Sequence, residues 1–195
     1  NYFHQKETYV DIYFYDRNNI FLKKIEISNT TRLNEIHIDK DFFNGKEDIG
    51  VFYIFHRLKI KNKINSILSN RCYVGYSQNK NLYSFVHGNT FARYKDINNG
   101  NKIKSNIIST TFIKNQSYKI QKYFAGFDKT ELIFTNPTSK TIYFKIDNNL
   151  FKLNDGCSIN VNIKDKAIIN IKSNCFFLRP LVFSYKNNFL DVHHS

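Results

Sequence analysis

The chain has 195 residues, a length that suits one large or two small domains. Hydrophobic residues make up 42% of it and aromatic residues 16%, a composition that excludes an intrinsically disordered protein. Charged residues interrupt the apolar stretches too often for a membrane span. Lysine and arginine outnumber aspartate and glutamate by 29 to 16, which gives a net charge of +13. This excess of positive charge attracts polyanions at low salt.

The three cysteines, Cys72, Cys157 and Cys175, form no CxxC motif and no paired framework, so no disulfide scaffold is predicted. The chain contains no methionine and begins at Asn1. We therefore expect the parent protein to be longer than this chain. No feature of the sequence indicates a cellular compartment.

The first predicted element is a strand over "YVDIYFYD" at 9–16, where Val10, Ile12 and Phe14 alternate with tyrosine and aspartate. The turn "RNN" follows it. Three further stretches, "IFLKKIEIS", "LNEIHID" and "GVFYIFHRL", are also predicted as strands, because turn-forming residues separate them. Short strands at this spacing are typical of a β-sandwich or barrel.

Residues 58–70, "LKIKNKINSILSN", break the alternation and predict a short helical or irregular insertion. A hairpin is predicted next, over 72–88. The polar stretch at 95–106, "KDINNGNKIKSN", is the best linker candidate in the chain.

From Thr130 onward, strands such as "ELIFTN", "TIYFKID" and "AIINIKS" alternate with turns rich in Asn, Asp and Lys. Few prolines or glycines are needed, because Asn and Asp tolerate left-handed backbone. The predicted fold class is therefore all-β, mainly antiparallel and of the β-sandwich type.

Two stretches resemble each other, "RCYVGYSQNKNLYSFVHGN" at 71–89 and "RPLVFSYKNNFLDVHHS" at 179–195. Both are predicted hairpins, and both end in Val-His followed by polar residues. We infer two duplicated β units in tandem, 1–96 and 105–195, joined by a linker at 97–104, which can also pack as one continuous domain. The alternative is chance similarity in a chain so rich in Asn, Lys, Ile and Phe.

Equivalent hairpins would bring their polar ends together at one pole of the molecule, where loops and strand ends carry binding. Asp191 and His193 are two residues apart on one strand and face the same side, whereas His194 faces the other side with Val192. The predicted ligand-binding residues are Arg71, His87, Asn89, Arg179, Asp191, His193 and His194, with Arg57 as the alternative to Arg71.

No catalytic residue and no cofactor is predicted, since the sequence has neither a GxSxG motif nor a glycine-rich phosphate loop. The leading hypothesis is a non-catalytic binding or accessory module for a saccharide or another polar ligand. The alternative is a binder of nucleic acid or another polyanion. The third hypothesis is a metal-assisted hydrolase, with Asp191, His193 and His87 as weak metal-ligand candidates.

Overall fold

The computed structural model describes residues 8–28, 34–45, 49–58, 72–78, 82–87, 93–96, 102–105, 116–121, 126–164, 168–175 and 178–195. Within these ranges, the regular elements are antiparallel strands and one short 3₁₀ helix. The prediction of an all-β, mainly antiparallel protein is therefore confirmed. The described residues contain no helix long and apolar enough to cross a membrane.

The chain divides into two compact units, Asn1–Cys72 and Tyr73–Ser195, called here the N-terminal and the C-terminal unit. The predicted linker at 97–104 falls inside the second of these units. Residues 97–101 lie outside the described residues, and Lys102 begins a strand. Two domains at 1–96 and 105–195 remain a prediction.

The N-terminal unit contains a three-stranded sheet in the order β2-β1-β3, with β1 at Thr8–Asp16, β2 at Phe21–Ile27 and β3 at Gly50–Leu58. The Asp16 carboxylate closes the first turn, because it accepts hydrogen bonds from the backbone N–H groups of Asn18 and Ile20 at 2.9 and 2.8 Å. The sequence predicted a turn at "RNN", and these hydrogen bonds make it an Asx-type turn.

The core of the N-terminal unit lies on one face of β1, where Val10, Ile12 and Phe14 are buried. The 3₁₀ helix Lys40–Phe43 contributes Phe42 and Phe43 to this core. The prediction of a strand over "LNEIHID" is wrong for residues 34–39, which have no regular secondary structure. Instead of pairing with a strand, Ile36 packs on the core, and Asp39 caps the helix by accepting from the N–H groups of Asp41 and Phe42.

The C-terminal unit is built from two hairpins and two four-stranded sheets in the ranges that the structure describes. The hairpins are β4-β5 and β6-β7, and the sheets have the orders β11-β10-β13-β8 and β12-β9-β14-β15. The strand bounds are β4 Tyr73–Tyr76, β5 Ser84–His87, β6 Arg93–Asp96, β7 Lys102–Ser105, β8 Gln116–Gln121, β9 Lys129–Thr135, β10 Ile142–Ile146, β11 Asn149–Leu153, β12 Ser158–Ile163, β13 Ile168–Ser173, β14 Leu181–Lys186 and β15 Phe189–His194.

Both four-stranded sheets contribute side chains to one hydrophobic cluster. Phe134 of β9 and Phe144 of β10 meet there with ring centroids 4.7 Å apart, and both are fully buried. Alternation along β9 and β10 places their apolar residues on the cluster side, as expected for strands with one buried face. The sandwich arrangement and the internal duplication remain predictions.

The predicted insertion at 58–70 lies almost wholly outside the described residues. Its first residue, Leu58, is the last residue of β3.

Candidate ligand-binding site

The two stretches that resemble each other both form hairpins. Val74 pairs with Val86 in the β4-β5 hairpin, and Phe183 pairs with Val192 in the β14-β15 hairpin. Val86, Phe183 and Val192 are buried together in one cluster, so the inner face of the β4-β5 hairpin packs on β14 and β15. The sequence predicted the two hairpins, and the structure adds that they contact each other.

A serine side chain attaches the β4-β5 hairpin to β15. The Ser84 hydroxyl accepts from the backbone N–H of Val192 at 2.9 Å and donates to the backbone carbonyl of Val192 at 3.1 Å. In the sheet order that the structure describes, β15 is an edge strand. An edge strand presents unpaired backbone N–H and C=O groups that a neighbour can bind. Ser84 thus satisfies both backbone groups of one β15 residue.

A histidine pair marks the end of this contact. The His87 and His194 rings are 4.6 Å apart between centroids and tilted by 35°. The Nε2 atom of His194 lies 2.7 Å from the backbone oxygen of His87, so the tautomer or charge state with a proton on Nε2 donates to it. The structure thus brings His87 together with His194, while the similarity of the two hairpins had placed His193 at the position equivalent to His87.

Asp191 and His193 lie on the other face of β15. The register sets them opposite Ser184 and Val182, whereas His194 lies opposite Leu181 on the face that meets the β4-β5 hairpin. The Nδ1 atom of His193 is 3.8 Å from a carboxylate oxygen of Asp191, with both side chains partly exposed. A contact this long between exposed groups contributes little to stability. The predicted site is therefore divided between two faces of the sheet.

The remaining predicted residues are placed as follows. Arg179 is exposed and precedes β14. The backbone of Arg57 lies in β3 of the N-terminal unit, opposite Tyr9, and its side chain falls outside what the structure describes. Arg71 and Asn89 lie outside the described residues. No group of three or more His, Cys, Asp or Glu side chains in the described part of the chain is placed to hold a metal ion.

Next to the histidine pair, the outer face of the β4-β5 hairpin carries three exposed aromatic rings, which we call the hairpin aromatic face. Tyr73, Tyr83 and Phe85 are 60%, 44% and 64% exposed. The register sets Tyr73 opposite His87 and Gly75 opposite Phe85. A β-carbon added to Gly75 would lie 2.6 Å from the Phe85 ring, so the ring rests directly on the glycine backbone.

Sequence reasoning missed the hairpin aromatic face, although a signal was present. In "YSFVH" the residues Tyr83, Phe85 and His87 alternate with Ser84 and Val86, and alternation alone does not show which set is buried. The contact with β14 and β15 buries Val86 and leaves the aromatic set in solvent.

Comparison of the chain with protein-family models, curated proteins and solved structures finds no match.

Proposed function

We propose that this chain is a non-catalytic binding module and that it holds a saccharide on the hairpin aromatic face beside His87. The observation that carries the proposal is the Phe85 ring, which rests on Gly75 and is 64% exposed. Exposed apolar groups gathered in one patch are characteristic of binding surfaces.

The chemistry of the face suits a sugar. The apolar C–H face of a pyranose packs on an aromatic ring, while its hydroxyls need donors and acceptors at the edge of the ring. Tyr83 extends the stacking surface, since its ring centroid is 6.0 Å from that of Phe85. Tyr73 and His87, paired across the hairpin, supply polar groups at one edge.

The glycine beneath the ring provides a sharp test. Gly75→Ala keeps every aromatic residue but puts a methyl group where the Phe85 ring lies, so the ring must move away. Because Phe85 is exposed, the ring can move without disrupting the core. We expect Gly75→Ala and Phe85→Ala each to weaken saccharide binding about fivefold, the effect of losing on the order of 1 kcal/mol of stacking.

The measurement is affinity electrophoresis in gels containing xylan, mannan, amylose or laminarin, each run at low and high salt. Phe189→Ala is the control, since Phe189 is 59% exposed at the turn of the other hairpin. We expect retardation that salt leaves unchanged and that only the two face variants reduce. Equal retardation of the wild type and both face variants, or no retardation in any polysaccharide, would contradict the proposal.

The same experiment decides the alternative. A binder of nucleic acid or another polyanion through the +13 charge should be retarded by heparin or single-stranded DNA in the gel, and this retardation should fall steeply as salt rises. Salt-sensitive retardation by heparin or single-stranded DNA, without retardation by neutral polysaccharides, would show that the ligand is a polyanion and not a saccharide.

A further inference from the structure

The sheet of the N-terminal unit has a second face, opposite its hydrophobic core. On β1 this face carries Tyr13 and Tyr15, which alternate with the buried Val10, Ile12 and Phe14. On the neighbouring strands it carries Phe21, Tyr53 and Phe55. We call these five residues, Tyr13, Tyr15, Phe21, Tyr53 and Phe55, the N-terminal aromatic face.

The rings of the N-terminal aromatic face are continuous across the three strands. The Tyr13 ring lies 5.7 Å from Phe55 and 6.3 Å from Phe21, and the Tyr15 ring lies 5.7 Å from both Phe21 and Tyr53, all measured between centroids. Phe21, at the edge strand β2, is 52% exposed. Part of this aromatic surface is therefore open to a ligand.

A polar cluster lies on the same face. The Lys24 ammonium contacts the Asp11 carboxylate at 3.1 Å and the Glu26 carboxylate at 3.0 Å, and it lies 5.7 Å from the centre of the Tyr13 ring. Hydrogen bonds to Glu26 and, to a smaller extent, to Asp11 raise the pKa of Lys24 above its ordinary value. Glu26 and Lys24 are exposed, whereas the Asp11 side chain is 2% exposed.

A buried carboxylate on a sheet is costly unless it is paired, and an apolar residue at position 11 would avoid this cost. Asp11 instead holds Lys24 over the aromatic surface. The result is an ammonium donor and a carboxylate acceptor beside a group of tilted and edge-to-face aromatic rings, of which Phe21 is exposed. This arrangement matches the hydroxyls and the C–H face of a sugar.

The charges on the N-terminal aromatic face favour a neutral saccharide over a phosphate polymer. Its described charged side chains are two carboxylates and one ammonium, in a chain whose net charge is +13. A phosphate polymer would meet two carboxylates here, while a neutral saccharide would meet no net repulsion.

We infer that the N-terminal aromatic face is a second saccharide site, with Phe21 as its stacking ring and Lys24 and Glu26 as its hydrogen-bonding groups. The inference takes its ligand class from the proposed function. It adds that each of the two units binds, and that the N-terminal site uses charged side chains where the hairpin aromatic face uses tyrosine and histidine.

The test is a two-dimensional amide NMR titration of the full chain with soluble xylo-, manno- and malto-oligosaccharides. In the wild type we expect shift changes at β1-β2 amides and at β4-β5 amides. Phe21→Ala should remove the first set, or raise its apparent Kd at least about fivefold, and leave the second set unchanged. Phe85→Ala should do the reverse.

Ile38→Ala, which truncates an exposed side chain of the same unit, is the control and should change neither set. Glu26→Gln keeps the size of the side chain and should weaken only the β1-β2 response. Since Phe21 and Glu26 are exposed, we expect both variants to remain folded. The dispersion of the amide signals in the same spectra checks this.

The outcomes separate the two proposals. Shift changes confined to β4-β5, or Phe21→Ala titrating like the wild type, overturn the second site and leave the proposed function standing. Shift changes confined to β1-β2 support the second site and contradict the hairpin aromatic face as the binding surface. No shift change with any oligosaccharide overturns both.

Discussion

Glu131 and Tyr185 form a polar contact on neighbouring strands of the C-terminal unit. The Glu131 carboxylate accepts from Lys129 at 2.9 Å and from Asn160 at 3.3 Å, and it also bonds with the Tyr185 hydroxyl. Burial by itself raises the pKa of Glu131, but the hydrogen bonds from Lys129, Tyr185 and Asn160 outweigh it and lower the pKa overall. Burial, together with the Glu131 charge, raises the pKa of Tyr185 to about 12.

The raised pKa of Tyr185 predicts a loss of stability at high pH. The phenol of the unfolded chain gives up its proton near pH 10, while the folded phenol keeps it to about pH 12. The unfolded state then binds fewer protons, so the free energy of unfolding falls across this interval. Tyr185→Phe should make the fall less steep, whereas Tyr143→Phe, on an exposed tyrosine, should leave the slope unchanged.

The measurement is urea unfolding followed by circular dichroism at a series of alkaline pH values. The slope with pH is the relevant quantity, because Tyr185→Phe also removes a hydrogen bond and lowers stability at neutral pH. Equal slopes for Tyr185→Phe and the wild type would contradict the assigned pKa.

Individual residues also show the limit of sequence reasoning at this scale. Alternation along β1 predicted that Val10, Ile12 and Phe14 share a face, and all three are buried in the core. Asp11 on the opposite face is equally buried and is paired with Lys24 of the neighbouring strand, a contact that alternation along β1 could not predict.

At the scale of elements, the β4-β5 hairpin contacts β15 through the buried cluster around Val86 and through the hydroxyl of Ser84. Ser84→Ala would leave the N–H and carbonyl of Val192 without their hydroxyl partner, at a cost of about 1–3 kcal/mol for buried polar groups. We expect faster hydrogen exchange at the Val192 amide and along β4-β5, and weaker saccharide binding on the hairpin aromatic face.

Ser28→Ala, on an exposed serine, is the control for this substitution. Amide exchange by NMR gives the measurement residue by residue. If the Val192 amide exchanges as in the wild type, the Ser84 hydroxyl does not hold the hairpin in place.

The hairpins themselves were predictable, since short alternating runs around "SQNKN" and "KNN" indicate antiparallel pairs. Their contact was not. Local alternation carries no information about which face of one hairpin meets which face of another, and so it could not select His194 over His193 as the partner of His87.

At the scale of the whole molecule, the C-terminal unit depends on a cluster that two sheets share. Phe144 of β10 contacts Phe151 of β11 in its own sheet and Phe134 of β9 in the other, at 5.1 and 4.7 Å between ring centroids. Phe144→Ala should therefore lower the free energy of unfolding by about 3–5 kcal/mol, because a fully buried ring leaves a cavity.

Amide protection should fall in both four-stranded sheets and not only around β10, as measured by hydrogen exchange. Leu150→Ala, on an exposed leucine of β11, should change stability by no more than about 0.5 kcal/mol. Loss of protection confined to the strands next to β10 would show that the two sheets do not share a cooperative core.

The sequence by itself determined the fold class, the positions of most described strands and which residues along a strand share a face, because β-propensity, turn chemistry and the period of two are local properties. Only the tertiary structure decided which of the two faces meets a partner. That choice buries Val86 and exposes Phe85, pairs the buried Asp11 with Lys24, and separates Asp191 and His193 from the histidine pair. It rests on contacts between residues far apart in the chain, and the residues of a single strand do not encode these contacts by themselves.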